Sequence, residues 1–209
     1  MRADDIVRLP GDRFVALKLA IPGMISGALS WALIDSADRW DLNFQFEGFG
    51  LLLLPVSIYP GLVFGLILGA VLHLWAKVSL LRAIRYVFAA GLSYFCAFHV
   101  AFYIMGNGFS SAETLVAYIA GGIPGGLAGS LLLGLLTKLL LQVPGRLVLR
   151  IPVAVGTIAG ALLGLGTLDS HNGWGFIAFF VLWQGAYGAS LAPLLRDSAR
   201  APALQLTGS

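Results

Sequence analysis

The chain has 209 residues, of which 58% are apolar and only 11% charged, and its mean hydropathy is +0.89. A soluble domain is about a quarter charged, so this composition excludes a disulfide scaffold, a nucleic-acid module and a disordered tail, and leaves one polytopic membrane domain. The 13 Lys and Arg residues exceed the 10 Asp and Glu residues by a formal +3, and their placement carries more information than their sum. A single cysteine, Cys96, rules out an internal disulfide, a paired redox motif and a thiolate zinc site; within an apolar run it reads as a small buried side chain.

The opening stretch MRADDIVRLPGDR mixes both charge signs and contains proline and glycine breakers. It does not have the layout of a cleavable signal peptide, so the first apolar run is expected to stay as an anchor. Six runs follow, at 14–34, 49–75, 86–105, 115–136, 151–168 and 174–195, each near the ~20 residues that cross a bilayer as a helix. Continuous apolar runs of this length are not the alternating segments of a β-barrel. The expected fold is therefore all-α, with six transmembrane helices in a single domain. The second run is longer than a span needs and is expected to tilt, or to end in a non-helical turn around Pro55 or Pro60.

Basic residues set the orientation. One side collects Arg2, Arg8, Arg13, Lys18, Lys77, Arg82, Arg85, Lys138, Arg146, Arg150, Arg196 and Arg200, whereas the other has only Arg39, beside Asp35, Asp38, Asp41, Glu47, Glu113 and Asp169. This asymmetry puts both termini in the cytoplasm and the protein in the inner (plasma) membrane as a multi-pass chain.

A shift of 64 residues superposes Gly27 on Gly91, Asn43 on Asn107, Pro60-Gly61 on Pro124-Gly125 and Arg82 on Arg146. GALSWALIDS at 27–36 also resembles GALLGLGTLDS at 160–170, and LWQGAYGASLAPLL resembles IYPGLVFGLILGAVL. These matches predict three like-built helix hairpins, with repeat units of roughly 14–77, 78–145 and 146–196. Such repeats frame a central pocket or pathway in many transporters.

Gly61, Gly65 and Gly69 lie four apart, as do Gly125 and Gly129, a spacing that puts them on one helix face where a neighbouring backbone can approach. Pro60 and Pro124 each remove a helix hydrogen bond just ahead of these stripes. Among ionisable groups, Lys18 and His73 read as interfacial, while His99 lies deeper. In the repeat register His99 falls where Asp35 and Asp169 lie in the other hairpins. The three would then converge at the outer mouth, where an imidazole between carboxylates can bind a cation or sense pH. Gln184, beside Trp183 and Tyr187, is the clearest uncharged polar group deep in a span. With Tyr94 and Tyr118 these residues form the expected substrate site: Gln184, His99, Tyr94, Tyr118, Asp35 and Asp169.

No span has a central carboxylate for a proton relay, and there is no P-loop, nucleophile elbow or metal-binding motif. The sequence thus implies no catalytic residue, no cofactor and no metal. Six helices in about 200 residues, glycine-rich even spans and no nucleotide motif resemble, in architecture, the substrate-binding subunits of energy-coupling factor vitamin transporters. That resemblance implies a vitamin-like solute near the outer loops and an ATPase module docking from the cytoplasm. The expected function is the handling of a small solute, as a channel, facilitator or substrate-binding subunit. The alternative is a membrane scaffold, assembly factor or non-catalytic subunit of a larger membrane complex. The expected partners are the lipid bilayer, a small-molecule solute, and a second copy or another membrane subunit, with no nucleic acid. A pocket holding Gln184, Tyr94, Tyr118 and His99 would favour solute handling; a filled core with an exposed glycine stripe would favour assembly.

Overall fold

A computed structural model describes residues 14–39, 45–46, 52–108, 114–141, 149–167 and 174–192. Six helices carry the fold: α1 Val15–Arg39, α2 Leu54–Leu74, α3 Leu80–Gly108, α4 Thr114–Leu141, α5 Arg150–Ala161 and α6 Trp174–Ser190. The only strands among the described residues are a two-residue antiparallel pair ahead of α2, in which Gln45 faces Leu53 and Phe46 faces Leu52. Stretches of α1, α2, α3 and α4 are long and apolar enough to cross a membrane, and large apolar side chains such as Leu66, Phe88, Leu139 and Ile158 remain exposed on the helix surfaces. A soluble monomer rarely shows so much apolar surface. This is a multi-pass membrane protein.

The second apolar run enters its helix later than its composition implies. Residues 52–53 pair as strand, and α2 starts at Leu54 with Pro55 in its first turn, where proline forfeits no intrahelical hydrogen bond. The helix then continues through Pro60 instead of ending there, as α1 does through Pro22 and α4 through Pro124. The fifth run changes character midway. After α5 the chain tightens into a 3-10 helix over Leu162–Thr167, which rises more steeply per residue.

Neighbouring helices run antiparallel, and their registers can be read where glycines let backbones touch. Between α2 and α3, Gly61 meets Ala90, Gly65 meets Val87 and Gly69 meets Ala83; between α3 and α4, Gly121 meets Ala101, Gly125 meets Ala97 and Gly129 meets Ser93. Gly122 lies against Gly160, and Gly126 against Gly156, across α4 and α5. Gly23 against Gln184 and Gly27 against Phe180 join α1 to α6. Since α1 also packs on α2, and α5 and its 3-10 extension on α6, the helices close into a ring in chain order. A side chain at Gly122 would run into the carbonyl of Gly160, so this approach is open to glycine alone. The two stripes seen in the sequence both grip α3, on adjacent faces: Gly61 and Gly65 come from α2 and meet Val87 and Ala90, whereas Gly125 and Gly129 come from α4 and meet Ser93 and Ala97.

At one end of the ring the core is full. Leu19, Leu68, Leu72, Tyr86, Tyr187 and Leu191 are almost wholly buried in one cluster. The same end carries the basic collar of Lys18, Lys77, Arg82, Arg85, Lys138 and Arg150. Lys18 Nζ lies 5.3 Å from the centre of the Trp75 ring, and His73 Nδ1–H donates to the Val78 carbonyl at 2.7 Å, closing the α2–α3 turn around Lys77, which adopts a left-handed φ of 56°.

Candidate functional site

At the opposite end the ring is hollow. A cavity of about 220 Å³ opens between α1, α3, α4, the 3-10 extension of α5, and α6. Helical periodicity builds its walls: Tyr94, Phe98 and Phe102 recur every four residues on α3, and Phe176, Phe180 and Trp183 follow the same face of α6. Trp31 and Ile34 close it from α1, and Tyr118 from α4. On the α4–α5 side the wall is bare backbone at Gly122, Gly125, Gly126 and Gly160.

The rings are ordered against one another. Trp31 stacks on Phe176 with centroids 5.4 Å apart and planes 7° from parallel, and Phe179 stacks on Trp183 at 5.9 Å and 4°. Phe98 and Phe102 stack at 4.2 Å, while Tyr94 packs at a tilt against Trp183, 5.4 Å away. Offset and near-parallel pairs of this kind add dispersion and quadrupole attraction to their packing. Among the described residues bordering the cavity none is charged, and the polar side-chain groups are two phenol hydroxyls and two indole N–H groups, from Tyr94, Tyr118, Trp31 and Trp183.

Tyr94 and Trp183 also roof a second, much smaller space of about 20 Å³, bordered by Ser93, Ser130, Gln184 and Tyr187. This is a thin polar layer between the hollow and filled ends. Gln184 is buried at its centre: Ser26 Oγ donates to Gln184 Oε1 at 2.5 Å, and Gln184 Nε2 donates to Ser30 Oγ at 3.2 Å and to the Pro60 carbonyl at 3.5 Å. Ser30 Oγ in turn donates to the Ser26 carbonyl at 2.8 Å. One amide thereby ties α6 to α1 and α2. The Tyr187 hydroxyl donates to the Ser130 carbonyl at 3.4 Å, joining α6 to α4.

Of the six site residues named from the sequence, the structure brings Tyr94 and Tyr118 to the main cavity and puts Gln184 in the layer beneath it. His99 does not border either space. Its Nδ1–H donates to the Phe95 carbonyl at 2.9 Å, its ring lies 4.0 Å from that of Phe95, and its Nε2 is buried with no hydrogen-bond partner. Asp35 is half-buried one residue beyond Ile34 and is likewise not part of the lining, and Asp169 lies outside the described residues. The ring of Asp35, His99 and Asp169 is thus not assembled among the described residues, which also contain no group of three His, Cys, Asp or Glu able to hold a metal. Cys96 is half-buried and free.

Sequence reasoning missed most of the lining, including Trp31, Phe98, Phe176 and Phe180. The signal was present as aromatic residues three and four apart on two spans, but an aromatic in an apolar run is ordinarily belt or core. No family model matches this sequence, and no curated protein or solved structure is similar enough to match it.

Proposed function

We propose that this protein binds a small solute in the aromatic cavity and so acts as a channel, facilitator or substrate-binding subunit in the membrane. The observation that carries the reading is a hollow of about 220 Å³ inside a ring whose other end is closely filled. Interiors pack at near-crystalline density, and an apolar void forfeits dispersion contacts along its whole lining. A chain whose only task was assembly would gain stability by filling it. The glycines that an assembly role would present outward are spent inside the ring: among the described glycines, only Gly106 has open space where a side chain would be.

The same reading takes six spans, with three like-built hairpins and both termini in the cytoplasm. What supports six is geometric. Twelve residues of α5 and six of its 3-10 extension together rise about 30 Å, and the 17 residues of α6 about 26 Å, against a hydrocarbon core of about 30 Å. What supports like-built hairpins is that the three junctions between them, α2–α3, α4–α5 and α6–α1, are all antiparallel and all closed through glycine. The basic collar at one end supports the orientation and an inner-membrane location. Reporter fusions after residue 111 and after residue 209 should report opposite sides of the membrane.

Native mass spectrometry of the protein purified from its membrane tests the function directly. A cavity of 150 Å³ holds benzene, so the expected adduct is a small molecule of about 100–200 Da, absent from a variant in which Leu163→Trp fills the space. A bare chain in both samples would contradict the proposal.

A further inference from the structure

The lining has a chemistry that narrows the solute, and we infer that the cavity takes an uncharged, planar, ring-shaped molecule of one or two fused rings bearing a hydrogen-bond-accepting oxygen. This rests on the solute-binding reading above and specifies it. Size comes first: about 220 Å³ exceeds the volume that admits benzene and suits a fused bicyclic ring. Shape comes second. The ring pairs Trp31–Phe176 and Phe179–Trp183 lie within 7° and 4° of parallel, so they form flat walls, and between Tyr118 and Leu163 the α4–α5 side is bare backbone at Gly122 and Gly126. A flat molecule recovers the dispersion contacts that the empty space forfeits.

Charge is the third criterion. An ionised ligand would leave water for a site at membrane depth with no charged side chain among the described residues that border it, and burial of an unpaired charge is strongly disfavoured. Aromatic faces do attract cations, which makes a flat cation the sharpest competitor. Hydrogen bonding is the last. Trp31 and Trp183 bring N–H groups that can only donate, Tyr94 and Tyr118 bring hydroxyls that donate as readily as they accept, and no acceptor-only side chain borders the space. A carbonyl or ring oxygen on the ligand complements that set.

Four flat bicyclic probes separate the alternatives: coumarin, naphthalene, 2-naphthoate and N-methylquinolinium. Each is dialysed to equilibrium against the full-length protein in lipid nanodiscs, with empty nanodiscs subtracted. Coumarin should bind most tightly, naphthalene more weakly for want of the oxygen, and the two ions should show no site-dependent binding. Phe176→Ala should weaken coumarin about tenfold, the loss of one stacking partner, while Phe88→Ala, on an exposed face of α3, should leave it unchanged. If Phe176→Ala does not yield folded protein, Phe176→Leu and the cavity-filling Ile34→Phe serve in its place. Binding of either ion as tight as coumarin, and lost in the Phe176 variant, overturns the ligand class but leaves a solute cavity in place. Absence of any variant-sensitive binding, with an adduct still seen in native mass spectrometry, also overturns the class alone. Absence of both overturns the class and the solute-binding reading together.

Discussion

The two ends of this ring are made from the same helices and differ in what their side chains do with the space between them. At the basic end, Leu68 and Leu72 from α2, Tyr86 from α3, and Leu19 and Leu191 from α1 and the chain just after α6 meet on the axis and fill it. At the other end, Trp31 stacks with Phe176 and Phe98 with Phe102 around the axis, and these pairs leave it open. At the filled end branched aliphatic chains interdigitate around Tyr86 and an edge-on Phe64–Tyr187 pair, whereas the near-parallel ring pairs of the hollow end make flat walls. The lesson is that the amount of apolar side chain does not decide whether a membrane bundle is solid; its shape does. Between the ends, Gln184 and its serines hold three helices in register through hydrogen bonds, the kind of contact that substitutes in lipid for a hydrophobic drive between helices.

Substitutions should break this comparison in a graded way. The largest effect belongs to the glycine contact in the cavity wall: Gly122→Val would drive a branched side chain into the Gly160 backbone. It should cost about 3 kcal/mol or more, read as loss of monodisperse protein in detergent. Next, Leu68→Ala in the filled end should cost about 2–5 kcal/mol by reversible unfolding in mixed micelles, and Ile34→Ala at the edge of the cavity clearly less, because Ile34 already faces open space. Gln184→Leu should then cost about 1–2 kcal/mol, since interhelical hydrogen bonds in membranes are individually modest but this one leaves Ser26 and Ser30 to find new partners. The smallest effect is expected at Tyr86→Phe. The buried Tyr86 hydroxyl faces only the Thr137 hydroxyl, at marginal hydrogen-bond geometry, so its removal should change stability by no more than about 1 kcal/mol in the same assay.

Much of the fold was legible because membrane helices announce themselves by length and apolarity, which is why α1, α3 and α4 lie so near the runs drawn from composition. Local backbone chemistry was less legible. Pro55 reads as a break, yet it occupies a helix's first turn, and nothing in LLGLGT separates a 3-10 helix from an α-helix by hydropathy alone. The glycine spacings carried real packing information, but not the partner: Gly61 and Gly125 look equivalent under the 64-residue shift and yet press on the same helix, α3. Of the residues that polarity singled out, Tyr94 and Tyr118 border the cavity and Gln184 the layer beneath it, while the His99 ring packs on Phe95. The cavity is defined by apolar rings, and polarity says nothing about rings. Their helical spacing on α3 and α6 did.

One end of the ring is hollow and the other full, and a matched pair of enlargements tests that most directly. Ile34→Phe and Leu68→Phe each put a phenyl ring at a buried aliphatic position, the first beside the cavity and the second in the filled cluster. Measured by reversible unfolding under identical conditions, Ile34→Phe should be neutral or stabilising, and Leu68→Phe should lose about 1–3 kcal/mol through overpacking. Equal losses from the two would mean that neither end has room, and that the hollow does not exist.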